Sequence, residues 1–158
     1  MKTVQALVVS TALAIGMATP ASAGVNDPEV IIYRFPGVQD DGSANFAGVA
    51  TKFLCTNFSG LAESMRFATR DQDGTLLSNQ TAPINHLQSV TAVTHGVNSS
   101  NGNQKLLLTT IVREGTTAIA ATSTSIICTA AVVDAAATKP QGLALRGIRF
   151  NPVPGSQE

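Results

Sequence analysis

From Val30 onward, apolar side chains recur at every second position in short runs. Each run is closed by Gly, Asn, Asp or Pro, the punctuation of strands rather than helices. Val30-Ile31-Ile32-Tyr33-Arg34-Phe35 is the first run and stops at Pro36-Gly37. Gln39 to Ser43 reads as a loop. Ala47 to Asn57 predicts a second strand, with Val49, Thr51, Phe53 and Cys55 on one face and Lys52 on the other. Asn57-Phe58-Ser59-Gly60 closes it. Leu61, Glu63, Met65, Phe67 and Thr69 alternate with Ser64, Arg66 and Arg70, a half-buried strand that is wet at its start.

Asp71-Gln72-Asp73-Gly74 predicts a hairpin turn, because Asp-Gly supplies the positive φ such turns need. Thr75 to Ser78 begins the returning strand, and Pro83 confines it to an edge or ends it. Gln88 to Thr94 alternates again, Asn98 to Asn103 reads as an exposed loop tip, and Lys105 to Arg113 reads as one strong strand. Thr116 to Thr122 is rich in Ala and is compatible with a short helical turn. Ser125 to Val133 predicts a strand with Ile126, Cys128 and Val132 on one face. Leu143 to Phe150 predicts the last strand, with a bulge at Gly147 bringing Leu143, Leu145, Ile148 and Phe150 to one side. Asn151 to Gly155 reads as an extended tail.

Seven or eight such strands imply a β-sandwich. Two distant cysteines sit mid-strand on apolar faces, Cys55 on the second strand and Cys128 on the penultimate one. That is the placement of an inter-sheet disulfide in an immunoglobulin-like two-sheet sandwich, so this all-β fold is the expectation. The chain has no Trp for the core, and Ile126 stands where an antibody-type domain has its corner tyrosine. A jelly roll is the alternative.

The N-terminal run has a different pattern. Lys2 precedes an apolar stretch from Val4 to Met17, Pro20 breaks any helix, and Ala21-Ser22-Ala23 is the small-x-small pattern of a cleavage site. Residues 1–23 therefore read as a secretory signal peptide, and residues 24–158 as a single β-sandwich domain. The stretch falls short of the roughly 20 apolar residues a bilayer span needs, and no later segment is longer, so no membrane span is expected. Removing 23 of the 158 residues leaves 135, enough for one domain with a real core. Export also sets the redox environment. In an oxidising compartment an even pair of cysteines reads as a disulfide, closing a loop of about 70 residues worth about 4 kcal/mol in the chain-entropy model.

Charge narrows the partners. Only Lys2 is lost with the signal, leaving nine Lys+Arg against ten Asp+Glu, a net charge of −1. Nothing in that balance suits nucleic acid or an anionic membrane surface. Charged residues are 13% of the chain, so Thr, Ser, Asn and Gln must supply most of its polar surface.

Candidate chemistry is sparse. His86 and His95 are the only histidines, and their spacing fits no helical zinc motif. No G-x-S-x-G elbow frames a serine nucleophile, although a dispersed triad needs none. Asp71 and Asp73, with Asp40 and Asp41, could offer oxygens to Ca²⁺, but turn chemistry alone explains them and the EF-hand pattern fails. Glu63, Glu114 and Asp134 are scattered acids without the paired signature of glycoside chemistry. Sugar binding usually relies on exposed aromatic platforms, and six Phe, one Tyr and no Trp offer few.

Three segments stand out as a set: Phe53-Leu54-Cys55-Thr56-Asn57-Phe58-Ser59-Gly60, Ile127-Cys128-Thr129-Ala130, and Gly147-Ile148-Arg149-Phe150-Asn151-Pro152-Val153-Pro154-Gly155. Together they resemble small uncharacterised exported bacterial proteins with a C-T-N-F-S-G segment and a G-I-R-F-N-P tail. The resemblance covers nearly the whole mature chain and implies no activity and no catalytic residue.

The expected function is a non-catalytic, periplasmic or secreted domain that binds or assembles with an envelope or extracellular partner. It needs no cofactor and no metal. A fimbrial or adhesin-like subunit is the alternative, with Val25 to Phe35 as a donor arm. A hydrolase with a dispersed site is the third reading.

Overall fold

Two five-stranded sheets pack face to face in the computed structural model, which describes residues 29–99, 104–107 and 110–150. The strands are β1 (Val30–Asp40), β2 (Val49–Asn57), β3 (Glu63–Arg70), β4 (Leu76–Ile84), β5 (Ser89–Val93), β6 (Gln104–Leu106), β7 (Val112–Ala121), β8 (Ile126–Asp134), β9 (Gly142–Leu145) and β10 (Ile148–Arg149). One sheet, here sheet A, has the order β10-β1-β7-β3-β4, and sheet B has β6-β5-β2-β8-β9. The proposed signal peptide and the tail from Asn151 lie outside the described residues. Among the described residues, no helix is long and apolar enough to cross a membrane.

The all-β two-sheet sandwich is as the periodicity predicts. Its spatial order matches the immunoglobulin arrangement, in which A-B-E-D faces C′-C-F-G. Here β10-β1-β7-β3 faces β5-β2-β8-β9. The chain fills these places in its own sequence, because the A position is taken by the last strand and β3 and β4 precede β5.

The core lies between the sheets. Phe35 on β1, Phe53 on β2 and Phe67 on β3 form a row of rings that crosses from sheet to sheet, with centroids 5.7 and 6.0 Å apart. Tyr33 stacks on Phe35 at 5.7 Å. Ile32, Met65, Ile84, Ile119 and Ile126 are fully enclosed around them. Thr51 ties the sheets at one end. Its hydroxyl donates to the Gln39 carbonyl (2.8 Å) and accepts from the Gln39 N–H (2.9 Å). Among the described residues, no buried side-chain polar atom lacks a partner.

The disulfide forms, but not across the sandwich. Cys55 and Cys128 face each other directly in the antiparallel β2–β8 ladder, with Cα atoms 4.1 Å apart. The expected inter-sheet bridge is therefore an intra-sheet one. An immunoglobulin-type B-to-F bond would join β1 to β8, whereas here it joins the C and F positions. The apolar face that each cysteine occupies is the same inner face of one sheet, which alternation alone cannot distinguish from two facing sheets.

Other elements depart for identifiable reasons. Val30–Asp40 continues through Pro36, since β10 covers only Tyr33 and Arg34 and the rest of β1 is an edge that tolerates proline. Of the donor arm nominated from Val25 to Phe35, the part from Val30 is instead paired within its own sheet, and residues 25–28 lie outside the described residues. The Lys105 to Arg113 run is not one strand. It begins in sheet B as β6, parallel to β5, and ends in sheet A as the start of β7, with Leu107 buried at the crossing. Thr116 to Ala121 is not helical but is the middle of sheet A, where Thr117, Ile119 and Ala121 point inward. Likewise Leu143 to Phe150 is not one bulged strand. β9 belongs to sheet B and β10 to sheet A, and the chain changes sheets beside Gly147, where a Cβ would lie 2.4 Å from the Phe35 ring. Pro83 does lie on an edge strand, and the Asp71–Gly74 turn forms, with Gly74 at φ +87°.

Closing a loop across a sequence separation of 73 stabilises the fold by about 4 kcal/mol in the chain-entropy model. The Cys55→Ala/Cys128→Ala double variant should keep the fold but unfold more than 10 °C lower in a thermal scan followed by circular dichroism, a shift of about that size being expected from the lost stability.

Candidate binding face

His95 is fully committed and His86 is committed at one nitrogen. His95 is 7% exposed and its Nδ1 lies 2.8 Å from Oδ2 of Asp40, itself 3% exposed. Its Nε2 lies 2.9 Å from the Ala47 carbonyl. A carbonyl only accepts, so Nε2 donates there, and Nδ1 shares a proton with the carboxylate. Whichever of the two supplies that proton, neither ring nitrogen has a lone pair left for a substrate or a metal. His86 is exposed, and its Nδ1 accepts the Gly60 N–H at 3.1 Å. The nitrogen left to solvent in the neutral ring is a donor. The nearby Ser59 hydroxyl is spent in its own turn, donating to the Leu61 carbonyl and accepting the Leu61 N–H.

Asp40, Asp41 and His95 bring ligand-type atoms within 4.8 Å of one another. Those atoms are already in use. Asp40 Oδ1 accepts the Gly42 N–H (2.8 Å), and Asp41 accepts the N–H groups of Ser43 (3.0 Å) and Val49 (2.9 Å). Partial burial pushes the Asp41 carboxyl up. The Ser43 and Val49 N–H groups, the Ser43 hydroxyl and the nearby His95 outweigh that and hold it below its ordinary value. Gly48 makes room for this network: its φ is +68° and a Cβ would lie 2.2 Å from Asp41 Oδ2. The cluster thus locks the β1–β2 loop to the end of β5. Asp71 and Asp73 do not join it. Asp71 accepts the Arg113 N–H, and Asp73 accepts the Thr75 N–H, which with the Thr75 hydroxyl lowers the Asp73 carboxyl. Glu63 bonds the Thr122 hydroxyl, Asp134 caps the turn at Ala136, and Glu114 is exposed in the left-handed region at φ +51°.

The pattern that sequence reasoning missed is on the outward face of sheet B. Register sets its composition. Thr56 stands opposite Ser89 and Ile127, Leu54 opposite Thr91 and Thr129, and Lys52 opposite Val93 and Ala131. Ala131 pairs onward with Ala144 of β9. The 94–99 segment folds over one end of this face, burying Val97 with Ala50, Val93, Val133 and Ala135 in a satellite cluster. The rest is open. Leu54 is 42% exposed and Ile127 49%, with Phe58 (51%) and Leu87 (64%) just beyond the strand ends. Leu87 holds a left-handed φ of +59°, a conformation that disfavours bulky residues. Lys52 is the one charged side chain of the paired positions on this face. The outward face of sheet A differs, with Arg34, Arg66 and Arg70 arranged around Ala68 and Ala118.

Fold and face together define a disulfide-bonded, immunoglobulin-like sandwich that leaves most of one sheet's outer surface uncharged. No family model matches the chain, and neither curated proteins nor solved structures give a match.

Removing one partner of a buried hydrogen bond to a carboxylate typically costs up to about 3 kcal/mol, because the other partner is left unsatisfied. Asp40→Ala should therefore lose up to about 3 kcal/mol in urea denaturation. Asp40→Asn should lose less, since its amide still accepts from the Gly42 N–H.

Proposed function

We propose that this chain is an exported, non-catalytic binding domain, and that it binds through the open outer face of sheet B. The observation that carries the reading is the contrast between the two kinds of site. His95 has both ring nitrogens engaged and His86 has its Nδ1 engaged, and among the described residues no serine hydroxyl is hydrogen-bonded to either ring. Sheet B instead presents Leu54 and Ile127, with Phe58 and Leu87 at its rim, to solvent. Isolated exposed apolar residues are ordinary, but a group of four around a sheet face whose paired positions carry one charge, Lys52, is the composition of an interaction site. The disulfide fits an oxidising compartment, and the signal-like N-terminus supports a periplasmic or secreted location.

A charge placed on that face should abolish binding without touching the core. The Leu54→Asp/Ile127→Asp variant should lose at least tenfold in retention of an envelope component that the wild-type protein holds, while Arg34→Glu on the opposite sheet should keep it. Equal retention by all three proteins, or steady turnover of an ester, peptide or glycoside substrate that His86→Ala removes, would overturn the reading.

A further inference from the structure

The open face of sheet B narrows at one end into a notch of about 380 Å³, at the lower end of the size range of ligand pockets. Leu54, Thr129, Ala131 and Ala144 form its floor, and the 140–142 corner forms one wall. Gly142 sets that wall in place. A Cβ there would lie 2.5 Å from the Val132 carbonyl, so any side chain would push the corner off β8. Lys52 closes the other side. Its only hydrogen bond among the described residues is a long one, 3.5 Å, from Nζ to the Ser99 carbonyl, and it has no carboxylate partner among them. Lys52, half-buried beside Leu and Ala side chains, thus has no counter-charge among the described residues.

We propose that this notch binds the carboxylate of a monomeric aliphatic amphiphile, whose chain lies from Lys52 along Leu54 toward Ile127. The proposal rests on the outer face of sheet B being the binding face, and it names the ligand class. The charge argument fixes the head group: one ammonium on an otherwise uncharged floor is matched by one negative charge, and a dianion would leave a charge uncompensated. The floor argument fixes the body. A peptide lying flat on this face would leave its N–H and C=O groups against Leu, Ala and Ile side chains, whereas an aliphatic chain has none to satisfy. The geometry fixes the length. Lys52 to Thr56, whose cross-strand neighbour is Ile127, spans about 13 Å along β2, the reach of a medium-length acyl chain.

The test is a titration of the isotope-labelled, disulfide-bonded protein with decanoate below its micelle concentration, followed by amide shifts. Decyltrimethylammonium is the charge control and Lys52→Gln the variant. Lys52 is partly exposed, so the variant should keep the wild-type spectrum elsewhere. Decanoate should shift the amides of Leu54, Thr129, Ala131, Gly142 and Ala144, Lys52→Gln should weaken it at least fivefold, and the cationic amphiphile should not bind there. Equal binding of the cation, no loss in Lys52→Gln, shifts confined to other regions, or no shift at all would each overturn the proposal. If decanoate fails while Leu54→Asp/Ile127→Asp still loses the envelope component, the ligand class falls and the binding face stands. If that variant also has no effect, the face itself falls.

Discussion

The β2–β8 ladder is the constraint on which the rest of the molecule depends. Nine residue pairs join these strands from Val49–Asp134 to Asn57–Ile126, and the disulfide lies within that register at Cys55–Cys128. A strand slipped by one residue turns every side chain to the other face. The covalent bond forbids that slip, so Phe53, Cys55, Ile126, Cys128 and Ala130 must point into the core. The same bond forces Leu54, Thr56, Ile127 and Thr129 outward. The open face is therefore a consequence of the core's register, and the disulfide acts on both at once.

A second set of ties decides how much of that face stays open. Asp40 and His95 hold the end of β1 against the segment after β5, and Asn98 donates its N–H to the Ala135 carbonyl at 2.9 Å. Gln104 bonds both backbone groups of Val97, at 3.0 and 2.7 Å. Together these pin residues 94–99 over Ala50, Val93 and Val133. Among the described residues the cover reaches Ser99, which also lines the notch at Lys52. The polar network at one end of the sandwich thus shapes the border of the open face.

Much of this was legible in the sequence, and the rest was hidden for physical reasons. β2, β3, β8 and the Asp71–Gly74 hairpin follow from local alternation and turn chemistry, which act over a few residues. β7 was not legible because a central strand packed between two neighbours can use Ala and Thr as readily as a short helix can. The sheet changes near Leu107 and Gly147 were hidden because each run is apolar along its length, and local alternation does not show that its two ends belong to different sheets. The cysteine pair was expected, but its placement within one sheet depends on strand order, which alternation does not encode. The Asp40–His95 pair joins residues 55 apart, so neither spacing nor motif could show it. The candidate face had a visible half-signal in Leu54, Thr56 and Phe58 on the outward phase of β2. Their partners on β5, β8 and β9 come only with the fold.

The central claim is that this register turns outward, for binding, a sheet face whose one charged paired position is Lys52. Methyl relaxation in the presence of a soluble paramagnetic agent tests it most directly, recorded free and then with the bound envelope component or decanoate. The account predicts strong broadening at Leu54 and Ile127 in the free protein and none at Ile126, Ile119 or Met65, with Leu54 and Ile127 becoming protected on binding. Broadening at Ile126 would contradict the register, and protection appearing instead at Ile31 or Ile148 of sheet A would contradict the face.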